Sequence, residues 1–216
     1  IDGPDGTGKS ALVGHAVKAL LDHDVSAVSY RDPGSTCFGE KIRELLLDRS
    51  FQISTLAQLY AFSAARAEML VAAGEQIRKG VTVLLDRCWA STLAYQCFGE
   101  NFEKSTVLDN ARYQLMQTIP LDTPIVNVFL GAPASVCNKR LADTGKEADR
   151  FEHRDAEYYT RVRHGYSEAA LHSRTLTTHT TYCTWLDASN SLPGLLDRLL
   201  HFLHTIHPSF AGIKET

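Results

Sequence analysis

The segment GPDGTGKS at residues 3–10 constrains this chain more strongly than any other part of its sequence. It matches the pattern GxxxxGK[ST], in which glycines allow successive backbone N–H groups to turn toward bound phosphates. A helical pattern follows at once, so the positive end of a helix dipole would face the same anion. The pattern predicts that Lys9 reaches the β- and γ-phosphates of ATP and that Ser10 holds Mg²⁺. The other residues of this predicted ATP-binding loop are Gly3, Pro4, Asp5, Gly6, Thr7 and Gly8.

Beyond the loop, short β-rich apolar runs alternate with longer helical patterns, which indicates a parallel sheet covered by helices on both faces. We predict strands at residues 25–30, 81–86, 125–130 and 182–187. We predict helices at residues 10–21, 40–47, 54–79, 105–118, 134–141, 157–173 and 192–204. The polar segment at about 142–154 carries Gly145 and is predicted to form a flap, or LID.

The first strand of the expected sheet is nearly missing from this sequence. A phosphate loop follows a buried strand, yet only Ile1 and Asp2 precede it, so we expect several apolar residues upstream of residue 1. With that strand counted, the expected fold class is α/β, a P-loop NTPase three-layer fold with a parallel five-stranded sheet between helices. Because no linker, repeat or low-complexity tract divides residues 1–216, we expect a single domain.

The composition argues against several classes of protein. A net charge of -3 provides no basic field for a nucleic acid polymer. The five cysteines are scattered and never spaced as CxxC, which favours reduced thiols over a disulfide framework or a zinc site. No apolar run approaches the roughly 20 residues that a membrane span needs. We therefore expect a soluble, cytoplasmic protein.

Two arginines predict a second phosphate site beside the loop. Arg31 follows the first complete predicted strand and Arg87 follows the next. In open parallel sheets, ligands bind beyond the carboxyl ends of the strands, so both arginines would lie near the phosphate loop. A GTPase switch is disfavoured, because the strand that ends at Asp86 continues as RCWA without the glycine of DxxG. The pattern instead favours a kinase whose acceptor already carries a phosphate.

Several ordered segments resemble the thymidylate kinase family of nucleoside-monophosphate kinases. They are IDGPDGTGKS, YRDPGSTCFGEKIRELLL, LYAFSAARAEML, LLDR followed by ASTLAYQ, and ADRFE with YTRVRHGYSEAA. The resemblance implies transfer of the γ-phosphoryl of ATP to dTMP with Mg²⁺, giving dTDP and ADP in dTTP biosynthesis. It also implies a homodimer that pairs through its long helices.

The resemblance also implies roles for individual residues of the acceptor site. Asp5 would contact the 3′-hydroxyl of the sugar, and Tyr95 would exclude a 2′-hydroxyl. Arg66 would contact a thymine carbonyl, Phe62 would stack on the base, and Thr92 and Gln96 would border it. These roles suit the residue types, since a guanidinium donates paired hydrogen bonds and an aromatic ring offers a stacking face.

The expected mechanism is electrostatic positioning, since phosphoryl transfer needs little covalent chemistry from the protein. Lys9, the Mg²⁺ on Ser10 and Asp86, and Arg87 would meet the charge of the phosphates. The family places a catalytic arginine either in the phosphate loop or in the flap. Gly6 occupies the loop position, so the charge is expected from three basic residues near or in the flap: Arg140, Lys146 and Arg150.

Two departures from the family's sequence pattern and three alternative functions leave the identity of the acceptor open. Cys88 stands where the family commonly has tyrosine, and Trp89 where smaller or polar residues are usual. The alternatives are a kinase for another or a modified deoxynucleoside monophosphate, a deoxynucleoside kinase, and a nucleotide-binding scaffold. A deoxynucleoside kinase would need a carboxylate base near a neutral hydroxyl, whereas paired arginines favour a phosphorylated acceptor. Intact Lys9 and Ser10 disfavour a scaffold.

Overall fold

A computed structural model describes residues 1–50, 52–145 and 154–206 of the chain. The described residues form a mixed α/β fold with four strands: β1 (Ala27–Arg31), β2 (Thr82–Asp86), β3 (Ile125–Gly131) and β4 (Thr181–Asp187). The α-helices are α1 (Lys9–Asp22), α2 (Cys37–Leu47), α3 (Thr55–Arg78), α4 (Trp89–Thr92), α5 (Lys104–Thr118), α6 (Ala134–Asp143), α7 (Ala156–His172) and α8 (Leu192–Ile206). A π-helix, Leu93–Gly99, continues α4. Every predicted strand and helix is present, with ends that differ by at most three residues.

The sheet differs from the prediction of five strands. The four described strands form two parallel pairs, β1 with β2 and β3 with β4, rather than one five-stranded sheet. Ile1 and Asp2 connect the pairs: Ile1 hydrogen-bonds to Leu85 and Arg87 of one side, and Asp2 to Val128 and Leu130 of the other. Ile1 and Asp2 therefore lie between the two pairs of strands.

An apolar cavity of about 390 Å³ lies between the two pairs of strands, and Ile1 is one of the residues that line it. Its walls include Leu84, Leu85, Val126 and Val128, which belong to the facing strands β2 and β3. The space between the pairs is therefore lined with side chains of the kind that cover a buried strand.

Helices cover both faces of these strands, as the alternation of side chains along a strand requires. Leu84 of β2 packs in the cluster that contains the buried residues of α1 and α8. Its neighbour Leu85 packs against the opposite cluster, which contains Leu70 of α3 and Val162 of α7. The carboxyl ends of β1, β2 and β3 thus meet the phosphate loop at one edge between two helical layers.

A close helix crossing joins α7 to the π-helix. A Cβ on Gly165 would lie 2.6 Å from the Cα of Ala94, and one on Gly99 would lie 2.8 Å from the ring of Tyr158. Gly165 lets the two backbones approach closely, and Gly99 leaves room for the Tyr158 ring. The crossing fixes the π-helix, whose Tyr95 and Gln96 were predicted to face the acceptor.

The predicted flap at about 142–154 falls mainly on residues 146–153, which lie outside the described residues. Among the residues that are described, no helix is long and apolar enough to cross a membrane.

Candidate active site

The phosphate loop leads from Asp2 into α1 through backbone conformations that favour glycine. Gly3, Gly6 and Gly8 have φ angles of +148°, +78° and +86°. The loop closes on itself, because the Lys9 ammonium donates a hydrogen bond to the carbonyl oxygen of Pro4 at 2.7 Å. Burial and the neighbouring Arg87 charge lower the pKa of Lys9 to about 8, although nearby carboxylates oppose the shift. The loop thus holds a buried lysine whose neighbouring carboxylates do not fully offset the effect of burial and of Arg87.

Gly6 lies against the start of α6. A Cβ at this position would stand 2.5 Å from the carbonyl oxygen of Cys137, and the backbone has the left-handed φ of +78°. Both facts exclude a side chain without a shift of the loop or of α6. An arginine therefore cannot project from this loop position in the described arrangement.

The two residues predicted to hold the metal are in direct contact. Ser10 Oγ donates a hydrogen bond to Asp86 Oδ2 at 2.5 Å, joining the first turn of α1 to the end of β2. Mg²⁺ prefers oxygen ligands and keeps several waters and phosphate oxygens around it. One hydroxyl and one carboxylate fit that preference. Within the described ranges, no group of three or more histidine, cysteine, aspartate or glutamate side chains offers an all-protein metal site.

Arg87 joins the phosphate loop to the acceptor side. Its φ of +71° is a strained backbone conformation for a residue other than glycine. Nη1 donates to the Gly3 carbonyl at 3.1 Å, and Nη2 donates to Asp5. Although burial opposes its charge, Asp5 and other acidic neighbours raise the pKa of Arg87 well above its ordinary value. Arg87 therefore keeps its charge.

Asp5 also binds Tyr95. The Tyr95 hydroxyl donates to Asp5 Oδ2 at 2.5 Å, and the Arg87 guanidinium lies 5.6 Å from the centre of the Tyr95 ring. Burial raises the pKa of Asp5, but the Arg87 and Lys9 charges outweigh it and leave the pKa lower than usual. The three residues predicted to meet the acceptor sugar and phosphate are thus brought together.

A cleft extends from this cluster between β1, α3 and the π-helix. It is lined by Asp5, Asp32, Pro33, Arg43, Leu47, Phe62, Arg66, Arg87, Ser91, Thr92, Tyr95 and Gln96. At its inner end, Arg66 Nε donates to Asp32 Oδ2 at 2.5 Å, and Arg66 Nη2 donates to Thr92. This ion pair is buried, with 3% and 2% of the two side chains exposed.

Two polar atoms at the inner end of the cleft have no hydrogen-bond partner among the residues that the structure describes. They are Asp32 Oδ1, an acceptor, and Gln96 Nε2, a donor. Burial raises the pKa of Asp32 even though Arg66 opposes the shift. A buried polar atom without a partner is destabilising, so both atoms favour a ligand that offers them hydrogen bonds.

Comparison with known proteins agrees with this arrangement. A family model described as thymidylate kinase matches residues 1–183. A thymidylate kinase of Chlorobium limicola is 31% identical over 99% of this chain and 97% of its own length. Those of Carboxydothermus hydrogenoformans and Pelodictyon phaeoclathratiforme are 33% and 36% identical, over 81% and 76% of this chain and 84% and 78% of their own lengths.

The chain belongs to the thymidylate kinase family. It is therefore a P-loop nucleoside-monophosphate kinase, and the resemblance described from the sequence is confirmed.

Within this thymidylate kinase framework, the structure places most of the predicted acceptor residues around one cleft. Phe62, Arg66, Thr92, Tyr95 and Gln96 all line it. Their individual roles stay predictions.

Arg31 is placed differently from the prediction. Its guanidinium forms an ion pair with Glu40 at 3.1 Å, and 46% of its side chain is exposed. Glu40 also accepts from the backbone N–H of Ser35 at 2.7 Å, which holds the pair at the rim. Arg43 of α2 lines the cleft instead, and it donates to the Pro33 carbonyl at 3.1 Å. The sequence analysis missed Arg43, although it lies in the quoted segment YRDPGSTCFGEKIRELLL.

The predicted flap arginines are only partly described. Arg140 of α6 donates to the carbonyl oxygens of Ala188 at 2.7 Å and Asn190 at 3.3 Å, beyond the end of β4. Arg150 and Lys146 lie outside the described residues. The catalytic role of the flap therefore stays a prediction.

Proposed function

We propose that this protein transfers the γ-phosphoryl of ATP to dTMP, giving dTDP and ADP, in the synthesis of dTTP. The observation that carries the proposal is the Asp5–Arg87–Tyr95 cluster, which stands between the phosphate loop and the cleft. It offers a charged guanidinium to an acceptor phosphate at the place where the loop would present ATP. Family membership supports the same reaction.

The inner end of the cleft suits a pyrimidine that has adjacent donor and acceptor groups. Thymine has a ring N–H between two carbonyls, and Asp32 Oδ1 and Gln96 Nε2 are an unpaired acceptor and an unpaired donor. Arg66 would bind a carbonyl while Phe62 stacks on the ring. Cys88 does not line this cleft, so the substitution of tyrosine by cysteine there leaves the proposed base contacts in place.

The sugar would lie between the base and the loop. Tyr95 is 7% exposed and held by Asp5, so its ring is a fixed wall where a 2′-hydroxyl would project. Asp5 would accept from the 3′-hydroxyl. These positions favour a deoxyribonucleotide.

Transfer itself would depend on charge and alignment. Lys9 would leave Pro4 for the β- and γ-phosphates, and Mg²⁺, held through Ser10 and Asp86, would neutralise charge on the transferred group. The acceptor oxygen is already ionised at neutral pH, so no general base is needed.

Because Gly6 carries no side chain, we assign the remaining catalytic charge to the flap. Arg150 is one candidate, and Arg140 is the other if it leaves the Ala188 and Asn190 carbonyls. Arginine at such transition states contributes about 10³ to 10⁵ in rate. We expect Arg150→Ala or Arg140→Ala to lower kcat at least a hundredfold, with little change in the KM for dTMP, measured by steady-state kinetics. Near-normal kcat in both variants would remove the flap from the mechanism.

We further propose a homodimer. Leu56, Tyr60 and Val71 are 48%, 60% and 47% exposed on one face of α3, and Phe38 and Leu45 of α2 are also exposed. Such an apolar surface at helical spacing is typical of a protein interface. Sedimentation velocity would test it, and a monomer at micromolar concentration would contradict it.

Two further expectations complete the proposal. The apolar cavity between β2 and β3 supports a fifth parallel strand at that position. All five cysteines are free thiols, which supports a cytoplasmic location.

The decisive experiment is a panel of acceptors assayed with ATP and Mg²⁺, with the products separated by chromatography. The panel contains dTMP, dUMP, dCMP, dGMP, the ribonucleotide of thymine, and unphosphorylated thymidine. We expect dTMP to have the highest kcat/KM. A preference for thymidine would indicate a nucleoside kinase, a preference for another monophosphate would reassign the base, and no turnover with any acceptor would favour a scaffold.

A further inference from the structure

Tyr166 of α7 contacts the proposed phosphate-binding arginine without being part of the cleft surface. Its side chain is completely buried, whereas Arg87 and Ser91 line the cleft. The Tyr166 hydroxyl lies 2.9 Å from Arg87 Nη1 and 2.9 Å from Ser91 Oγ. A tyrosine in this position can act on the acceptor only through its neighbours.

The hydrogens of this group can be assigned from the number of donors. Ser91 has one hydroxyl hydrogen, and it donates that hydrogen to Asp2 Oδ1 at 2.6 Å. Ser91 Oγ can therefore only accept from Tyr166, and the Tyr166 oxygen can then accept from Arg87. Donors run in one direction, from Arg87 through Tyr166 and Ser91 to the Asp2 carboxylate. Burial raises the pKa of Tyr166 well above its usual range, so its hydrogen is retained.

Asp2 anchors the end of this chain to the phosphate loop. Its carboxylate accepts from the backbone N–H groups of Gly3 and Cys88, each at 3.0 Å. The same aspartate thus binds the start of the loop, the turn after β2 and, through Ser91 and Tyr166, the helix α7.

The fold supports the position of Tyr166 from two sides. Gly165 allows α7 to touch the backbone of Ala94 in the π-helix, which brings the next residue over Arg87. The Tyr166 ring also meets the edge of Tyr95, with ring centres 6.2 Å apart at 86°. The tyrosine is therefore rigid as well as hydrogen-bonded.

Arg87 needs this support if it is to present the correct hydrogens. Its Nη1 has two hydrogens for three acceptors: Gly3, Ser91 and Tyr166. Nη2 gives one hydrogen to Asp5. Among the described residues, Nε–H and one hydrogen of Nη2 have no partner, so this pair of donors remains for the oxygens of a phosphate. The contacts on Nη1 set the direction in which that pair points.

We propose that Tyr166 is a positioning residue that orients Arg87 toward the acceptor phosphate, through the chain from Tyr166 and Ser91 to Asp2. The proposal rests on the function of Arg87 proposed above. It assigns α7, the helix that follows the flap in sequence, an effect on the acceptor site that passes through Arg87. A purely structural tyrosine would affect stability without discriminating between the two substrates.

Tyr166→Phe tests the proposal, with Tyr158→Phe as a matched control. Tyr158 is a buried tyrosine of the same helix, and its hydroxyl has no hydrogen-bond partner in the described part of the chain. We expect Tyr166→Phe to raise the KM for dTMP about tenfold, the low end for losing a hydrogen bond to a charged group, because Arg87 keeps its other partners. The KM for ATP should stay within about twofold, and Tyr158→Phe should leave both constants unchanged.

A double-mutant cycle with Arg87→Lys shows whether the effect passes through the arginine. Tyr166→Phe should have no further effect on the KM for dTMP in the Arg87→Lys background. The same tenfold loss in both backgrounds, or a KM within twofold of wild type in the single variant, would overturn the proposal.

Two outcomes keep the experiment decisive. If Arg87→Lys alone leaves the KM for dTMP unchanged, the proposed function of Arg87 fails before Tyr166 is considered. If Tyr166→Phe does not fold, Ser91→Ala interrupts the same chain from the cleft side. An unchanged KM for dTMP in Ser91→Ala would then refute the positioning role.

Discussion

Removal of the Arg66 charge should show how much the ion pair between Arg66 and Asp32 contributes to the stability of the folded protein. We consider Arg66→Met, which keeps an unbranched side chain of similar length. The substitution leaves the buried Asp32 carboxylate without its counter-charge, and Thr92 loses a donor. Breaking a buried pair in this way costs about 3 to 5 kcal/mol of the free energy of unfolding.

The cost should depend on pH, and its sign follows from Asp32. Burial raises the pKa of Asp32 in the folded protein above the value in the unfolded chain, and loss of the Arg66 charge raises it further. The folded state therefore prefers protonated Asp32. The variant therefore loses least stability at pH values below the ordinary aspartate pKa. The loss grows as the pH rises, until the pH exceeds the pKa of Asp32 in the folded variant. Each unit of difference in pKa contributes about 1.4 kcal/mol.

Urea unfolding at pH 5 and pH 8, followed by tryptophan fluorescence, measures both effects. Asp32→Asn combined with Arg66→Met is the control, since it removes the buried charge and should recover at least about 2 kcal/mol at pH 8. A loss below about 1 kcal/mol in the single variant, or the same loss at both pH values, would refute this account of the ion pair.

Three other substitutions test the donor loop and the sugar site. Lys9→Ala should lower kcat by about 10³, and wild-type kcat/KM for ATP should fall above pH 8 as the Lys9 charge is lost. Tyr95→Ala should raise the ratio of kcat/KM for ribonucleotide over deoxyribonucleotide about tenfold; an unchanged ratio makes Tyr95 a packing residue. Gly6→Ala should lose about 2 kcal/mol in urea unfolding and weaken ATP binding. Gly14→Ala, in open space on α1, should not destabilise the fold.

The sequence predicted those parts of the molecule that depend on local patterns. The phosphate loop, its helix and all four described strands were predicted because glycine spacing and apolar alternation are read within short windows. Ser10 and Asp86 were both predicted to lie near the metal, since a loop motif and a strand end fix their positions, and the structure places the two side chains in contact.

The sequence failed where side-chain direction depends on distant partners. Arg31 was predicted to face the acceptor, but Glu40 on α2 holds it at the rim while Arg43, one turn further along the same helix, lines the cleft. The π-helix was not predicted, because one extra residue per turn leaves no clear apolar period.

Tyr166 shows the same limit within a helix that was predicted correctly. The pattern YSEAA places it on the buried face of α7, where a tyrosine is ordinarily core. Only the close crossing at Gly165 reveals that its hydroxyl reaches Arg87.

The unpaired atoms at the inner end of the cleft also define a target for inhibitor chemistry. A small heterocycle that places a donor against Asp32 Oδ1 and an acceptor against Gln96 Nε2 would satisfy both atoms at once. A buried polar atom that lacks a partner costs about 1 to 3 kcal/mol, so each hydrogen bond to such an atom would add to the affinity. Such a compound would gain affinity without carrying a phosphate, and a neutral molecule of that kind avoids the charge that keeps nucleotide analogues out of cells.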